Sequence, residues 1–232
     1  LAEWGGRPVV GGYLGPLGEA AINHLATWSG GGWEPLVTPG LGADREVNAL
    51  VRWRGRLLAG GNFTALGGRR VGGLAERVGD DWIRFQATPA DTMRFARVEV
   101  ILPVGDSLVV IGAPGPSFTG YGQVGRAWLW DGARWHDTGL SQTFRLGGAA
   151  VRWRGHFVLA TDGLVTLDGV GIGQADDYVA ALAVYHDRLI ACGNFRHIGD
   201  VAYDFIAAWD GADWRPLNYG LGGSATCMTV FE

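Results

Sequence analysis

Lysine is missing from this chain: all 19 basic residues are arginine, spread along the sequence, and the formal net charge is −4. That balance argues against a general nucleic-acid binder, which needs a concentrated basic surface. Cysteine is scarce. Cys192 and Cys227 are the only two, too few for a disulfide-dense scaffold. No apolar run reaches the roughly 18 residues of a membrane-spanning helix, so no membrane span is expected. Leu1 is followed by neither a basic n-region nor an apolar h-region, so no signal peptide is expected to remain. The C-x-x-C, H-E-x-x-H, G-x-S-x-G and P-loop patterns are all missing. His24, His136, His156, His186 and His197 show no i, i+2 or i, i+4 spacing, so neither a metal nor a cofactor is expected.

Glycine is what the chain has in excess, at 40 of 232 residues, more than twice average usage. It follows no G-X-Y period, and 47% of residues are hydrophobic, so neither collagen nor disorder fits. The glycines instead punctuate a repeat. Val47-Asn48-Ala49-Leu50-Val51-Arg52-Trp53 through Gly60-Gly61-Asn62-Phe63 is echoed by Val179-Ala180-Ala181-Leu182-Ala183-Val184-Tyr185 through Cys192-Gly193-Asn194-Phe195. Weaker copies run from Ala149 to Asp162 and from Val98 to Gly112. A second marker, an aromatic or apolar residue, a tight turn and an aromatic, recurs at Trp28–Trp33, Val78–Trp82, Trp130–Trp135 and Trp209–Trp214, with a degenerate copy at Leu167–Ile172. Five markers in 232 residues give a period of about 46, in the range of propeller blades.

Each repeat reads as four short strands. Val47–Trp53 alternates apolar and mixed positions, and Arg56–Phe63 follows it. A third strand precedes the D-G turn, as at Ala127–Trp130 and Ile206–Trp209, and a fourth starts at the next Trp. Asp-Gly between apolar runs is a strong hairpin signal. No window sustains a helical apolar period. The expectation is an all-β, five-bladed β-propeller with four antiparallel strands per blade and one domain over 1–232. Blade 1 is read as 225–232 plus 1–44, blade 2 as 45–93, blade 3 as 94–143, a shortened blade 4 as 144–176 and blade 5 as 177–224. The C-terminal tail would supply the inner strand of blade 1 and the N-terminal segment the next ones, leaving no free sheet edge. Trp28, Trp82, Trp130, Trp135, Trp209 and Trp214 are expected to pack between blades.

The consensus V-x-A-L-x-V-x-x-G-x-L-x-x-G-G-x-F-T-x-x-G-G, then I-A-x-W-D-G-x-x-W-x-P-L-x-x-G-L, is carried by residues 47–68, 179–199, 206–221 and 28–41. It resembles repeats of bacterial extracellular β-propellers, which are similar to those of the fungal cortical polarity-marker family. The resemblance implies a secreted or surface-displayed propeller with no assigned reaction and carries over no catalytic residue. Blade number and length also resemble the five-bladed tachylectin-type lectins, whose sequence motif finds no match here.

Candidate chemistry is sparse. Asp131, Asp168 and Asp210 are expected to hold their own D-G turns. Asp80-Asp81 and Asp176-Asp177 read as solvated turn residues before they read as paired acids. Cys192 and Cys227 read as buried free thiols, with a staple across the ring closure as the alternative. His156 and His186 are expected to be exposed, and Asn62 to serve its turn. A binding surface is read from loop asymmetry. The second-to-third-strand and blade-to-blade loops share one face, which carries Phe63, Phe118, Tyr121, Phe195, Arg196 and His197, residue types that dominate binding hot spots. Blade 4 turns at Asp162-Gly163 without the long loop, leaving a notch expected to form a groove lined by Phe118, Tyr121, Gln123 and Asp162. The functional expectation is a non-enzymatic interaction propeller for a protein or glycan ligand, on a secreted, cell-surface or appendage protein and part of a larger chain or assembly. The alternatives are a lectin, a glycoside hydrolase with two facing carboxylates in the axial funnel, or a structural subunit with a large apolar patch.

Overall fold

Short apolar runs cut by glycine-rich turns build strands only. The computed structural model describes residues 1–15, 22–36, 42–86, 92–104, 106–115, 124–143, 148–161 and 163–230, and no helix occurs among them. Sheet 1 is β1 (Ala2–Trp4), β2 (Arg7–Gly11), β3 (Leu25–Trp28) and β4 (Trp33–Pro35). Sheet 2 begins with β5 (Val47–Trp53) and β6 (Arg56–Gly61). A small separate hairpin of β7 (Ala65–Leu66) and β8 (Arg69–Arg70) comes next, and β9 (Leu74–Val78) and β10 (Asp81–Arg84) complete the sheet. Sheet 3 is β11 (Phe95–Val104), β12 (Ser107–Pro114), β13 (Val124–Trp130) and β14 (Trp135–Thr143). Sheet 4 is β15 (Gly148–Trp153), β16 (His156–Thr161), β17 (Leu164–Leu167) and β18 (Val170–Gln174). Sheet 5 is β19 (Val179–Tyr185) and β20 (Arg188–Gly193), a second small hairpin of β21 (His197–Ile198) and β22 (Val201–Ala202), then β23 (Ile206–Trp209) and β24 (Trp214–Pro216). Each four-stranded sheet pairs its strands antiparallel in chain order, a blade-like meander.

The chain forms two compact units, Leu1–Gly120 with Gly125–Thr138 and Tyr121–Val124 with Gly139–Glu232. In the first unit, Val9, Leu25, Val47, Leu57, Phe63, Leu66 and Trp82 form one core. Trp53, Leu58, Phe85, Phe95, Val98, Leu108 and Trp130 form a second. In the second unit, Trp153, Val158, Val179, Leu189, Phe195, Tyr203 and Trp214 pack together. Two indoles of that unit also hydrogen-bond across sheets. Trp153 Nε1 donates to the Asp187 carbonyl at 2.9 Å and Trp214 Nε1 to the Ile172 carbonyl at 2.8 Å. Trp82, Trp130 and Trp214 are buried as expected, and Trp135 and Trp209 are half-buried. Trp28 departs from the expectation: it is 37% exposed and meets the exposed Trp33 edge-on at the rim of sheet 1.

The glycine excess has a local cause in the pairing of first and second strands. A Cβ on Gly60 would lie 2.5 Å from Val98 Cγ1, and one on Gly11 would lie 2.6 Å from Val47 Cγ1, so each glycine of a second strand receives a valine of the following sheet's first strand. The next position is tighter. A Cβ on Gly61, Gly112 or Gly193 would fall on the carbonyl oxygen of Glu46, Arg97 or Tyr178 respectively. Each clash sits at a register shift, between Val47 and Ala49, Val98 and Val100, and Val179 and Ala181. The same β-bulge therefore opens the first strand of three sheets.

The tail does not do what the sequence led us to expect. Sheet 1 takes all four of its strands from residues 2–35. Residues 217–230 carry no strand. They lie instead along sheet 5, where Leu221 N–H donates to the Asp204 carbonyl at 2.9 Å and Ala225 N–H to the Gly193 carbonyl at 3.1 Å. Cys227 is exposed on this tail and only Cys192 is buried; both are free thiols.

Candidate functional site

The two long loops are built alike. In each, the small hairpin folds back on the segment that leads into its own sheet, through the bridges Ala43↔Leu66 and Ala175↔Ile198. One aspartate in that segment clamps it. Asp44 accepts the amides of Thr64 (2.8 Å) and Ala65 (2.9 Å) and the Thr64 hydroxyl (2.6 Å). Partial burial raises the Asp44 carboxyl, but these donors outweigh it and hold the group below its ordinary range. Asp176 accepts the amides of Arg196 (2.8 Å) and His197 (3.1 Å) and contacts His197 Nδ1 at 2.9 Å. The His197 ring and amide hold it down to about 2. Asp176-Asp177 is thus a structural pair, with Asp177 accepting from Asn194 Nδ2 at 2.8 Å. Sequence reasoning missed the clamps, although Ala-Asp recurs at 43–44 and 175–176, in step with Asn62-Phe63 and Asn194-Phe195.

This folding back moves two expected binding residues inward. Phe63 and Phe195 are fully buried. Each ring lies under its hairpin, Phe63 in the core with Leu66 and Val71, Phe195 in the core with Ile198 and Tyr203. They are core side chains, where exposed loop positions were expected. Arg196 and His197 are exposed, the first with its guanidinium 5.3 Å from the Phe205 ring, the second bound to Asp176. Arg196, with Asp176, Asp177, Asn194, Phe205 and Ser224, edges an open polar recess. Phe118, Tyr121, Gln123 and Asp162, the residues of the expected groove, lie outside the described residues.

The recurrent acids are occupied in turns. Asp131 accepts the amides of Ala133 and Arg134, and Asp210 those of Ala212 and Asp213. Both carboxyls are held far below the ordinary range by those amides. Asp168 differs from the expectation. It reaches across to the neighbouring strand, where it accepts the Phe157 amide at 2.8 Å and meets His156 Nδ1 at 2.6 Å. Glu46 and Glu99 sense one another as like charges. Burial raises Glu99 and its neighbour Arg97 opposes the rise. Each acid has an internal partner: Glu46 accepts Asn62 Nδ2 at 3.2 Å, and Glu99 is hydrogen-bonded by Arg97.

A concavity lies within the first unit, on the predicted long-loop edge, among residues the sequence did not single out for binding. A cleft of about 430 Å³ opens between the β7–β8 hairpin, the end of β10 and the start of β11. This is within the usual size range of small-molecule sites. Phe85, Phe95 and Trp135 floor it, the two Phe rings 6.2 and 5.4 Å from Trp135 and nearly perpendicular to it. Arg70, Arg84 and Arg94 stand around it, and no acid lines it among the described residues. Backbone bonds hold the walls: Gly73 N–H to the Phe95 carbonyl (2.7 Å), Phe85 N–H to Leu74 (3.1 Å), Gly115 N–H to Arg94 (3.0 Å) and Val71 N–H to Thr64 (3.0 Å). Asp44, through Thr64, anchors the hairpin that bears Arg70. The missed signal was the placement of unremarkable arginines at strand ends: Arg70 and Arg84 close β8 and β10, and Arg94 stands just before β11.

No family model and no curated protein matches this chain.

Proposed function

We propose that this chain is a five-bladed β-propeller serving as a non-enzymatic binding module of an extracellular or cell-surface protein, with a protein or glycan ligand. Five four-stranded meanders of one strand order support the blade count. The reading of location rests on the repeat's resemblance to the bacterial extracellular propellers. The recurrent aspartates support a structural role, because each is engaged by backbone amides.

The observation that carries the binding reading is the cleft bounded by Arg70, Arg84 and Arg94 over Phe85, Phe95 and Trp135. Concave sites with an aromatic floor and a few convergent polar groups are where small ligands and ligand side chains bind. Combined glycan and peptide arrays, probed with the wild-type chain and with Arg70→Trp, test it. The substitution places a large ring at the exposed mouth of the cleft. A reproducible signal lost in Arg70→Trp supports the reading, and signal confined to glycans selects its lectin form. No signal on either array, or a signal indifferent to the filled cleft, refutes it.

A further inference from the structure

We infer that the cleft of the first unit selects an anion: a carboxylate or sulfate carried on a ring whose face is apolar. The inference rests on the binding reading above and adds the chemistry of the ligand.

About half of the described arginines are paired with a carboxylate; what sets the cleft apart is that three of the unpaired ones converge on it. Arg7, Arg54, Arg56, Arg69, Arg77, Arg126, Arg154 and Arg215 each face a carboxylate within 4.0 Å. Even Arg69, the immediate neighbour of Arg70, is paired, with Asp81 at 3.0 Å. Arg70, Arg84 and Arg94 have no carboxylate partner among the described residues, and all three border one cavity. Three guanidiniums around a cleft with no acid among its described residues create a local positive field in a chain of net charge −4. Low-dielectric walls concentrate such a field.

The identity of the cation matters. A guanidinium is planar, always charged and matched to two oxygens of a carboxylate or sulfate, so it favours bidentate capture. The three come from separate places: Arg70 ends β8, Arg84 ends β10 and Arg94 precedes β11. The backbone at or next to each arginine is held by the bonds of Val71, Phe85 and Gly115 described above. The aromatic floor supplies the second half of the selectivity. A flat apolar face can rest against Trp135 and its Phe neighbours while its acidic substituent reaches the arginines. An acidic sugar and an aromatic acid share that chemistry.

Isothermal titration calorimetry with four probes tests the inference. D-Glucuronate and benzoate are the anions, and D-glucose and benzyl alcohol are their neutral counterparts. We expect an anion to bind roughly tenfold or more tightly than its neutral partner, with affinity falling as salt rises. Arg84→Gln and Arg94→Gln should each weaken the anion by a similar factor, while Arg188→Gln, an exposed arginine of the other unit, leaves it unchanged. Preference for glucuronate identifies an acidic saccharide, and preference for benzoate an aromatic acid. Equal binding of anion and neutral partner overturns the inference, as does indifference to both Arg→Gln changes, or no binding by either anion. The arrays contain neutral ligands, so the binding reading can survive these failures and is judged separately.

Discussion

Replacing Gly61 with alanine tests the account of why this chain holds so much glycine. Gly61 ends β6 opposite the bulge that opens β5. The added Cβ would coincide with the Glu46 carbonyl oxygen and lie 2.8 Å from Phe63 Cδ1 and 3.0 Å from Val47 Cα. The main obstacle is backbone, which cannot rotate away. Relief requires the strands to part, and that stretches the 3.0 Å bond from Asn62 N–H to the Glu46 carbonyl. Overpacking plus one weakened hydrogen bond gives a loss of about 2–4 kcal/mol, a fall in Tm on the order of 10 °C for a chain of this size. Thermal melts followed by circular dichroism measure it, with two comparisons. Gly31→Ala meets nothing within 4 Å and should leave Tm nearly unchanged. Gly60→Ala strikes the Val98 side chain at 2.5 Å, so a second change, Val98→Ala, should recover part of its loss. No side-chain truncation should rescue Gly61→Ala. A Gly61→Ala melt indistinguishable from that of Gly31→Ala would refute the bulge argument.

Two further outcomes follow. Phe195→Ala removes a fully buried ring and should cost about 3–5 kcal/mol in chemical denaturation; a loss under about 1 kcal/mol would return Phe195 to the surface. Asp176 has its folded pKa depressed from 3.8 to about 2, so its stabilising contribution is present above pH 4 and disappears as pH falls through 2. The amide resonances of Arg196 and His197, which donate to this carboxylate, should titrate in NMR with a midpoint near 2. A midpoint at or above 3.8 would show that the clamp is absent in solution.

Much of the architecture was readable because hairpin chemistry is local. Asp-Gly and Gly-rich turns flanked by alternating apolar residues mark strands without reference to the rest of the chain, and Val47–Trp53 and Ile206–Trp209 are strands with the bounds read from sequence. The side of the sheets that bears the cleft was readable for the same reason, since alternate connections emerge on opposite edges. The site residues were not. Phe63 and Phe195 follow a turn signal and so read as loop, yet a further two-residue hairpin folds over each ring. That hairpin depends on a carboxylate some twenty positions earlier, Asp44 for Thr64 and Asp176 for Arg196. Whether an arginine is paired is likewise a long-range property: Arg54 finds Asp106 and Arg154 finds Asp187, while Arg70, Arg84 and Arg94 find no such partner. Composition shows charges, and only the fold shows which remain uncompensated. The described tail, 217–230, carries no strand, and its Leu221 and Ala225 amides go to the Asp204 and Gly193 carbonyls along sheet 5.

The β7–β8 and β21–β22 hairpins tie the strand leaving a sheet's second position to the chain entering that sheet; at each tip the first residue, Gly67 or Gly199, still bonds back to Gly42 or Gln174, and only the second, Gly68 or Asp200, stands beyond those bonds. A foreign peptide spliced into either tip lengthens a turn that no ladder or core residue crosses. The two tips are natural grafting points, where the scaffold can display new sequence while its sheets keep their register.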